Sequence, residues 1–402
     1  MVRPVIAHCW YRSANPSGEN IAVERELRLL VDGGLQPLLL ARRADDLLAA
    51  GPLHTFHAAA GLHASPRRVA ALARELETLG GDLLHVHNPW PSLTYGLFEA
   101  GRALGLPTIQ TLHNYRLVAS NTHLLGPHGA RRPRTDAERE RLAGMPALHG
   151  RLANLLYTRA LATYWRRRIP LEAVDAYLCP SAFVRGVMID AGIPASKLIV
   201  KPNFVAHRGP VGDGPGDYAL FVGRLSAEKG FDRLCRAWRD VRLPLRIVGD
   251  GPLAGLADAV PAARRLGRLP PDEVLACMAG ARFLVMPSTW FETFGLVLAE
   301  AMACATPCLA PRLGAMAEIV DDGITGRLFR AGDDADLARH ALALWEEAPG
   351  LRAGCRQTYE ARWTPERNLA LLRRIYAAVA AGRLDEVADS MPASIATAAA
   401  AG

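Results

Sequence analysis

The stretch Tyr218-Ala-Leu-Phe-Val-Gly-Arg-Leu-Ser-Ala-Glu-Lys-Gly230 decides how the chain is read. Its apolar run from Tyr218 to Val222 makes a short strand, Gly223 turns the backbone, and Arg224 and Lys229 stand beside the start of a helix. Fixed cations at a strand end, near a helix N-terminus, suit a diphosphate. Arginine offers a planar fork to two oxygens and lysine a compact point charge. A solvated basic turn would use the same residue types. Lys229, however, is one of only three lysines (with Lys197 and Lys201) in a chain that otherwise takes its positive charge from arginine.

Downstream, Val248-Gly-Asp-Gly-Pro252 places Asp250 in a Gly-Pro turn. The segment Met286-Pro-Ser-Thr-Trp-Phe-Glu-Thr-Phe-Gly-Leu-Val-Leu-Ala-Glu-Ala-Met302 follows a strand over 283–286. Its loop holds Glu292, and the turn at Gly295 opens a helix that carries Glu300. Backbone N–H groups at Phe294, Gly295 and Leu296 form the mouth of that helix and can receive a phosphate or a sugar hydroxyl. The plainer reading makes Glu292 a capping residue and Glu300 a surface one. Against it, an acid inside so apolar a helix usually needs a partner.

Upstream, strand-like runs at 5–9, 36–40, 83–87, 107–112, 177–179 and 198–200 alternate with helical patterns at 19–32, 92–104 and 182–191. Strands alternating with helices imply a parallel sheet covered on both faces. Residues 126–145 read as an exposed loop, and the Gly- and Pro-rich stretch 202–217 reads as a linker. At 402 residues the chain is too long for one ordinary core. The expected domains are 1–201 and 218–362, with a helix over 363–382 crossing back to the first and an Ala-rich, disordered tail over 383–402. The expected fold is α/β: two Rossmann-like doubly wound domains facing a central cleft, with ligands at the carboxyl ends of the strands.

Composition narrows the function. Half the residues are hydrophobic and 22% are charged, a globular balance. No apolar run is long enough to span a bilayer, and the N-terminus is too short for a secretory signal, so a cytoplasmic location is expected. Seven scattered cysteines show no zinc spacing. The net charge of +7 fits an enzyme handling phosphates or one near anionic lipid. No aromatic-interleaved basic patch points to nucleic acid. A helical pattern over 151–168 ends in Arg166-Arg167-Arg168. It reads as a surface helix with favourably placed arginines, or alternatively as one lying on the inner membrane surface.

Taken together, Gly223-Arg-Leu-Ser-x-Glu-Lys-Gly230, Val248-Gly-Asp-Gly-Pro252 and the pair Glu292 and Glu300 resemble, in order and spacing, glycosyltransferase family 4 of the GT-B fold. The resemblance covers nearly the whole chain and is strongest over 218–330. It implies retaining transfer of a sugar from a nucleotide diphosphate donor to a glycan or lipid-linked acceptor in cell-envelope or exopolysaccharide synthesis, with no metal and no cofactor. Arg224 and Lys229 would hold the diphosphate, Glu292 the donor sugar and Glu300 the ribose. Gly18, Gly223, Asn203, Asp250, Phe294, Gly295 and Leu296 would complete the donor side.

His85-Val-His-Asn-Pro-Trp90 and Gln110-Thr-Leu-His-Asn-Tyr-Arg-Leu117 resemble the family's acceptor-facing segments. They supply His87, Asn88, Trp90, Asn114, Tyr115 and Arg116, with His113 matching a histidine near the transferring sugar. The chain departs from the family where Ser17 precedes a single Gly18, where Val118-Ala-Ser-Asn121 follows Leu117, and at Gly314-Ala-Met-Ala-Glu318, where Glu318 is taken as structural. Rival readings are a non-catalytic scaffold of the same fold and a sugar-nucleotide epimerase or phosphorylase.

Overall fold

The computed structural model describes residues 2–11, 18–45, 65–119, 124–126, 129–130, 151–207 and 209–388. Ser17, Ser120, Asn121, nearly all of the expected loop at 126–145 and the tail beyond 388 lie outside the described residues. The chain divides into two compact units. The first contains Met1–Gly126, Arg131–Pro202 and Asn368–Gly402; the second is chiefly Asn203–Arg367. The stretch 203–217 therefore belongs with the second unit, and the chain returns to the first within the helix Pro365–Ala380.

In the first unit, strands Pro4–Trp10 (β1), Leu38–Arg43 (β2), Leu83–Asn88 (β3), Thr108–Thr111 (β4), Ala176–Cys179 (β5) and Leu198–Val200 (β6) form one sheet in the order β2-β1-β3-β4-β5-β6. Every ladder is parallel. All the residues of β3, β4, β5 and β6 are buried, as expected of strands covered on both faces. Returning helix residues Leu372, Ile375 and Tyr376 pack with Ile6, Ile109 and Leu178 in one core cluster.

The helix Arg151–Arg166 buries Ala160, Leu161 and Tyr164, and the Tyr164 ring stacks on Tyr95 with centroids 3.7 Å apart. Beyond its end, Arg167 lies 2.6 Å from Glu99 and Arg168 2.9 Å from Glu172. These arginines have acidic partners within their own unit, which favours the surface-helix reading. Among the described residues no helix is long and apolar enough to cross a membrane.

The second unit repeats the plan with Ala219–Val222 (β7), Leu245–Val248 (β8), Ala263–Gly267 (β9), Phe283–Val285 (β10), Cys308–Pro311 (β11) and Gly326–Phe329 (β12), ordered β9-β8-β7-β10-β11-β12 and again parallel. Side chains alternate with the period of two that a strand imposes. Ala219 and Phe221 join a cluster with Trp238 and Leu337 on one face, while Leu220 joins Leu298 and Met302 on the other. The connection from β7 leaves toward β8, whereas β10 lies on β7's opposite side. That reversal is a topological switch point, and it falls between the loops that follow β7 and β10.

Candidate functional site

Register determines which side chains meet. Ala219 pairs with Phe283 and Leu220 with Leu284, so the loops after β7 and β10 emerge side by side. They are stitched together by Thr289 N donating to Glu228 O at 3.0 Å and Thr289 Oγ1 donating to Ala227 O at 3.1 Å. Gly230 permits the approach: it has φ +67, and a Cβ there would lie 1.9 Å from Pro287 O. Gly249 plays the same part on the other side, where an added Cβ would meet Gly223 O at 1.9 Å.

Within these loops Lys229 Nζ lies 2.6 Å from Glu292 Oε1. Ser288 Oγ and Trp290 Nε1 donate to the same oxygen at 2.8 and 2.7 Å. Lys229 Nζ is also 5.1 Å from the Trp290 ring centroid, a cation–π distance. Glu292 is 7% exposed, whereas Arg224 is exposed and pairs through Nη2 with Glu228 Oε1. Ser226 Oγ donates to that oxygen at 2.7 Å. Burial works to raise the Glu228 carboxyl. The Ser226 hydroxyl, its own backbone N–H and the charges of Arg224 and Lys229 outweigh it, so Glu228 stays ionised below its ordinary range.

The result is a compact patch of two cations and two carboxylates at the switch point. Gly295, with φ +87, opens the helix Leu296–Ala303 beside it. Phe294 is buried with its ring 6.1 Å from Trp363, and Leu296 and Glu300 are half-buried. Asp250 Oδ1 accepts from Gly251 N at 2.8 Å, the turn-shaping bond its position suggests. Asn203 is half-buried in the segment after β6. Gly18 opens the helix Gly18–Asp32, and among the described residues a Cβ there would touch nothing within 4 Å, so no packing among them demands glycine.

The first unit has its own polar pocket beyond the ends of β3 and β4. His87, Asn88, Trp90, His113, Asn114 and Arg116 all line it. Tyr115 is fully buried behind it. Asn88 Oδ1 accepts from Arg116 Nη1 and from Trp90 N, both at 3.0 Å, and Asn114 Oδ1 accepts from Arg116 N at 2.9 Å. Asn114 Nδ2 and the Tyr11 hydroxyl donate to Glu19 Oε2 at 3.2 and 2.9 Å. Burial raises the Glu19 carboxyl, against the pull of Arg116 and these donors.

Beneath the pocket lies a charged cluster that the motifs did not indicate. Lys201 Nζ donates to Glu26 Oε2 at 2.7 Å, and both side chains are buried. Glu26 Oε1 is 3.3 Å from His87 Nε2 and 3.5 Å from His85 Nδ1. His87 Nδ1 is 2.8 Å from His113 Nε2. Burial alone would raise Glu26, but Lys201 and His87 hold it well below the ordinary carboxylate value. Atoms of Glu26, His85 and His87 lie within 4.8 Å of one another, a spacing that could hold a metal ion. The Lys201 ammonium already supplies positive charge to that carboxylate.

Two signals were available for this cluster. Lys201 is as rare a residue type as Lys229. Glu26 falls between Val23 and Leu30 on the buried face of an amphipathic helix.

Comparison with known proteins agrees with this architecture. Residues 17–208 match the family model described as Glycosyltransferase Family 4, and residues 216–347 that described as Glycosyl transferases group 1. A glycosyltransferase of Methanocaldococcus jannaschii described as uncharacterized is 32% identical over 49% of this chain and 57% of its own length. A D-inositol 3-phosphate glycosyltransferase of an Arthrobacter species is 28% identical over 66% of this chain and 62% of its own. A phosphatidyl-myo-inositol mannosyltransferase of Propionibacterium freudenreichii is 36% identical over 34% and 38%. These matches thus span less than two thirds of each relative.

Among solved structures, sucrose-phosphate synthase from Thermosynechococcus elongatus superposes with a TM-score of 0.68 at 19% identity, over 94% of this chain and all of that one. HepE of Anabaena in complex with UDP and glucose superposes with a TM-score of 0.63 at 16% identity, over 94% of this chain and all of that one. Identities this low speak to the fold alone.

Proposed function

From the premise that this chain belongs to the family 4 glycosyltransferases and has their GT-B fold, we propose that it moves a sugar from a nucleoside diphosphate donor to a glycan or lipid-linked acceptor, retaining anomeric configuration. The observation that carries this reading is the Lys229–Glu292 contact at the switch point of the second sheet, with Arg224 on the same loop. In breaking the glycosidic bond to the diphosphate, negative charge grows on the leaving group while the sugar becomes oxocarbenium-like. Lys229 and Arg224 stabilise the first, with N–H groups at the mouth of the helix Leu296–Ala303. They supply positive charge that a divalent ion would otherwise bring.

Glu292 orients the Lys229 ammonium and presents acceptor oxygen to sugar hydroxyls. Glu300, in the second turn of the helix, is assigned the ribose. In the first unit, His87, Asn88, Trp90, His113, Asn114 and Arg116 form an acceptor pocket whose arginine suits an anionic or hydroxyl-rich group. HepE binds UDP and glucose, which makes UDP-glucose the first donor to try. The inositol-lipid mannosyltransferase among the relatives supports a cell-envelope acceptor.

The test is a transfer assay with a panel of sugar nucleotides and inositol- or lipid-linked acceptors, the product's anomeric configuration being read by NMR. A product of inverted configuration would end the retaining assignment. Donor conversion without any acceptor would instead place the protein with the epimerases or phosphorylases.

A further inference from the structure

Gln110 belongs to β4, where its neighbour Ile109 joins the core cluster with Leu372 and Ile375 of the returning helix. Side chains alternate along a strand, so Gln110 stands on the opposite face of the sheet. Its partners across the sheet are Val86 of β3 and Tyr177 of β5. Valine has no polar side-chain atom, and the Tyr177 hydroxyl donates to Pro170 O at 2.9 Å. Gln110 is 8% exposed and lines the pocket beyond β3 and β4. Its Oε1 is buried and has no hydrogen-bond partner among the described residues. An amide oxygen left unpaired in the interior weakens a fold, and a strand position between valine and tyrosine suits an apolar side chain better. Glutamine at this position is accounted for by a ligand that enters the pocket.

We propose that Gln110 is a specificity-determining residue of this pocket, where its amide oxygen binds a hydroxyl of a cyclic polyol. The oxygen needs a donor: a hydroxyl donates, whereas phosphate dianions and ionised carboxylates only accept. The torsion that turns the amide is soft, so Oε1 swings into the pocket without moving the strand. Trp90 and Tyr95, packed edge to face with centroids 4.7 Å apart, line the same pocket. Aromatic walls with a few placed polar groups suit a ring that is apolar on its faces and hydroxylated round its edge. That this polyol is the sugar acceptor rests on the transferase reading, whereas the contact itself does not.

The chain has three glutamines, Gln36, Gln110 and Gln357, so 15N labelling of glutamine gives three side-chain NH2 pairs. Gln36 and Gln357 are exposed, so Gln36→Met and Gln357→Met assign their own pairs and leave the third to Gln110. Myo-inositol, glucose and mannose are then titrated into the labelled wild type, with inorganic phosphate as control. At least one polyol should shift the Gln110 pair, and phosphate should not. No shift with any polyol, or a shift with phosphate as well, would overturn the proposal. Gln110→Met keeps the length of the side chain and removes the amide. It should bind the same polyol roughly two- to tenfold more weakly by calorimetry, the loss of one neutral hydrogen bond. Without ligand it should unfold at or above the wild-type temperature, because no bond within the fold has been lost. Equal affinity in the variant, or a lower unfolding temperature, would contradict the assignment. A polyol shift in a protein that binds no nucleotide would leave this inference standing and remove the transferase reading alone. Nucleotide binding without a polyol shift would do the reverse.

Discussion

Lys229 Nζ lies 2.6 Å from Glu292 Oε1, although 63 positions separate the two residues. The contact ties the loop after β7 to the loop after β10, the cation of the first meeting the carboxylate of the second. A cation held by a buried carboxylate is presented in a fixed direction. Serine and tryptophan donors on the same oxygen then keep that carboxylate from turning. Orientation is what distinguishes a built phosphate site from a solvated basic turn.

The loop contact depends on Gly230. A Gly230→Ala variant would force a methyl against Pro287 O in a backbone conformation that side chains disfavour. Denaturant unfolding should show a loss of roughly 2 kcal/mol or more. Full stability with unchanged nucleotide binding would mean that the two loops are not held as described.

Removing one member of the buried Lys201–Glu26 pair should be more damaging than removing a surface ion pair. Lys201→Met leaves a buried carboxylate uncompensated, and a loss of about 3–5 kcal/mol is expected. Arg168→Ser, which breaks an exposed pair with Glu172, should change stability by roughly 1 kcal/mol or less. Similar effects of the two substitutions would contradict the burial assigned to Lys201.

The same cluster predicts acid sensitivity. Burial, reinforced by His87, lowers His8 from 6.5 to about 3, while its bond to Asn20 works in the other direction. Burial and His87 likewise hold His85 and His113 well below 6.5. These rings stay neutral in the folded protein and take up protons once unfolded. The unfolded state therefore binds more protons below 6.5, and stability falls as pH drops from there toward 3. Each such proton contributes about 1.4 kcal/mol per pH unit. Glu26, whose folded value is depressed, adds a further loss below the ordinary 4.5. Unfolding free energy measured at about pH 7, 6 and 5 should decline steadily. A flat profile would show that the rings are protonated in the fold.

Much of this was legible in the sequence, for identifiable reasons. The strands at 219–222 and 283–285 are short apolar runs with chemistry-bearing loops at their ends, and such loops on a parallel sheet converge. His87 and Asn88 end β3, and Trp90, Asn114 and Arg116 lie just beyond β3 and β4, so adjacency in the sheet brings them into one pocket. Glu26 and Lys201 were not legible as a pair, because 175 positions separate them and no local pattern encodes a buried partner. Glu300 drew notice as an acid in an apolar helix, yet it is half-buried. Glu26, in a helix of ordinary amphipathic pattern, is the one sealed inside. Periodicity gives the face of a helix but not how deeply its neighbours cover it.

Lys229 is assigned to a nucleotide diphosphate site. Calorimetric titration of UDP and GDP, without added metal, into the wild type and Lys229→Ala tests it most directly. The wild type should bind one nucleotide, and the variant should bind it about ten- to a hundredfold more weakly, the loss expected for one charged hydrogen bond. Equal affinity in the two folded proteins, or no binding by the wild type, would contradict it.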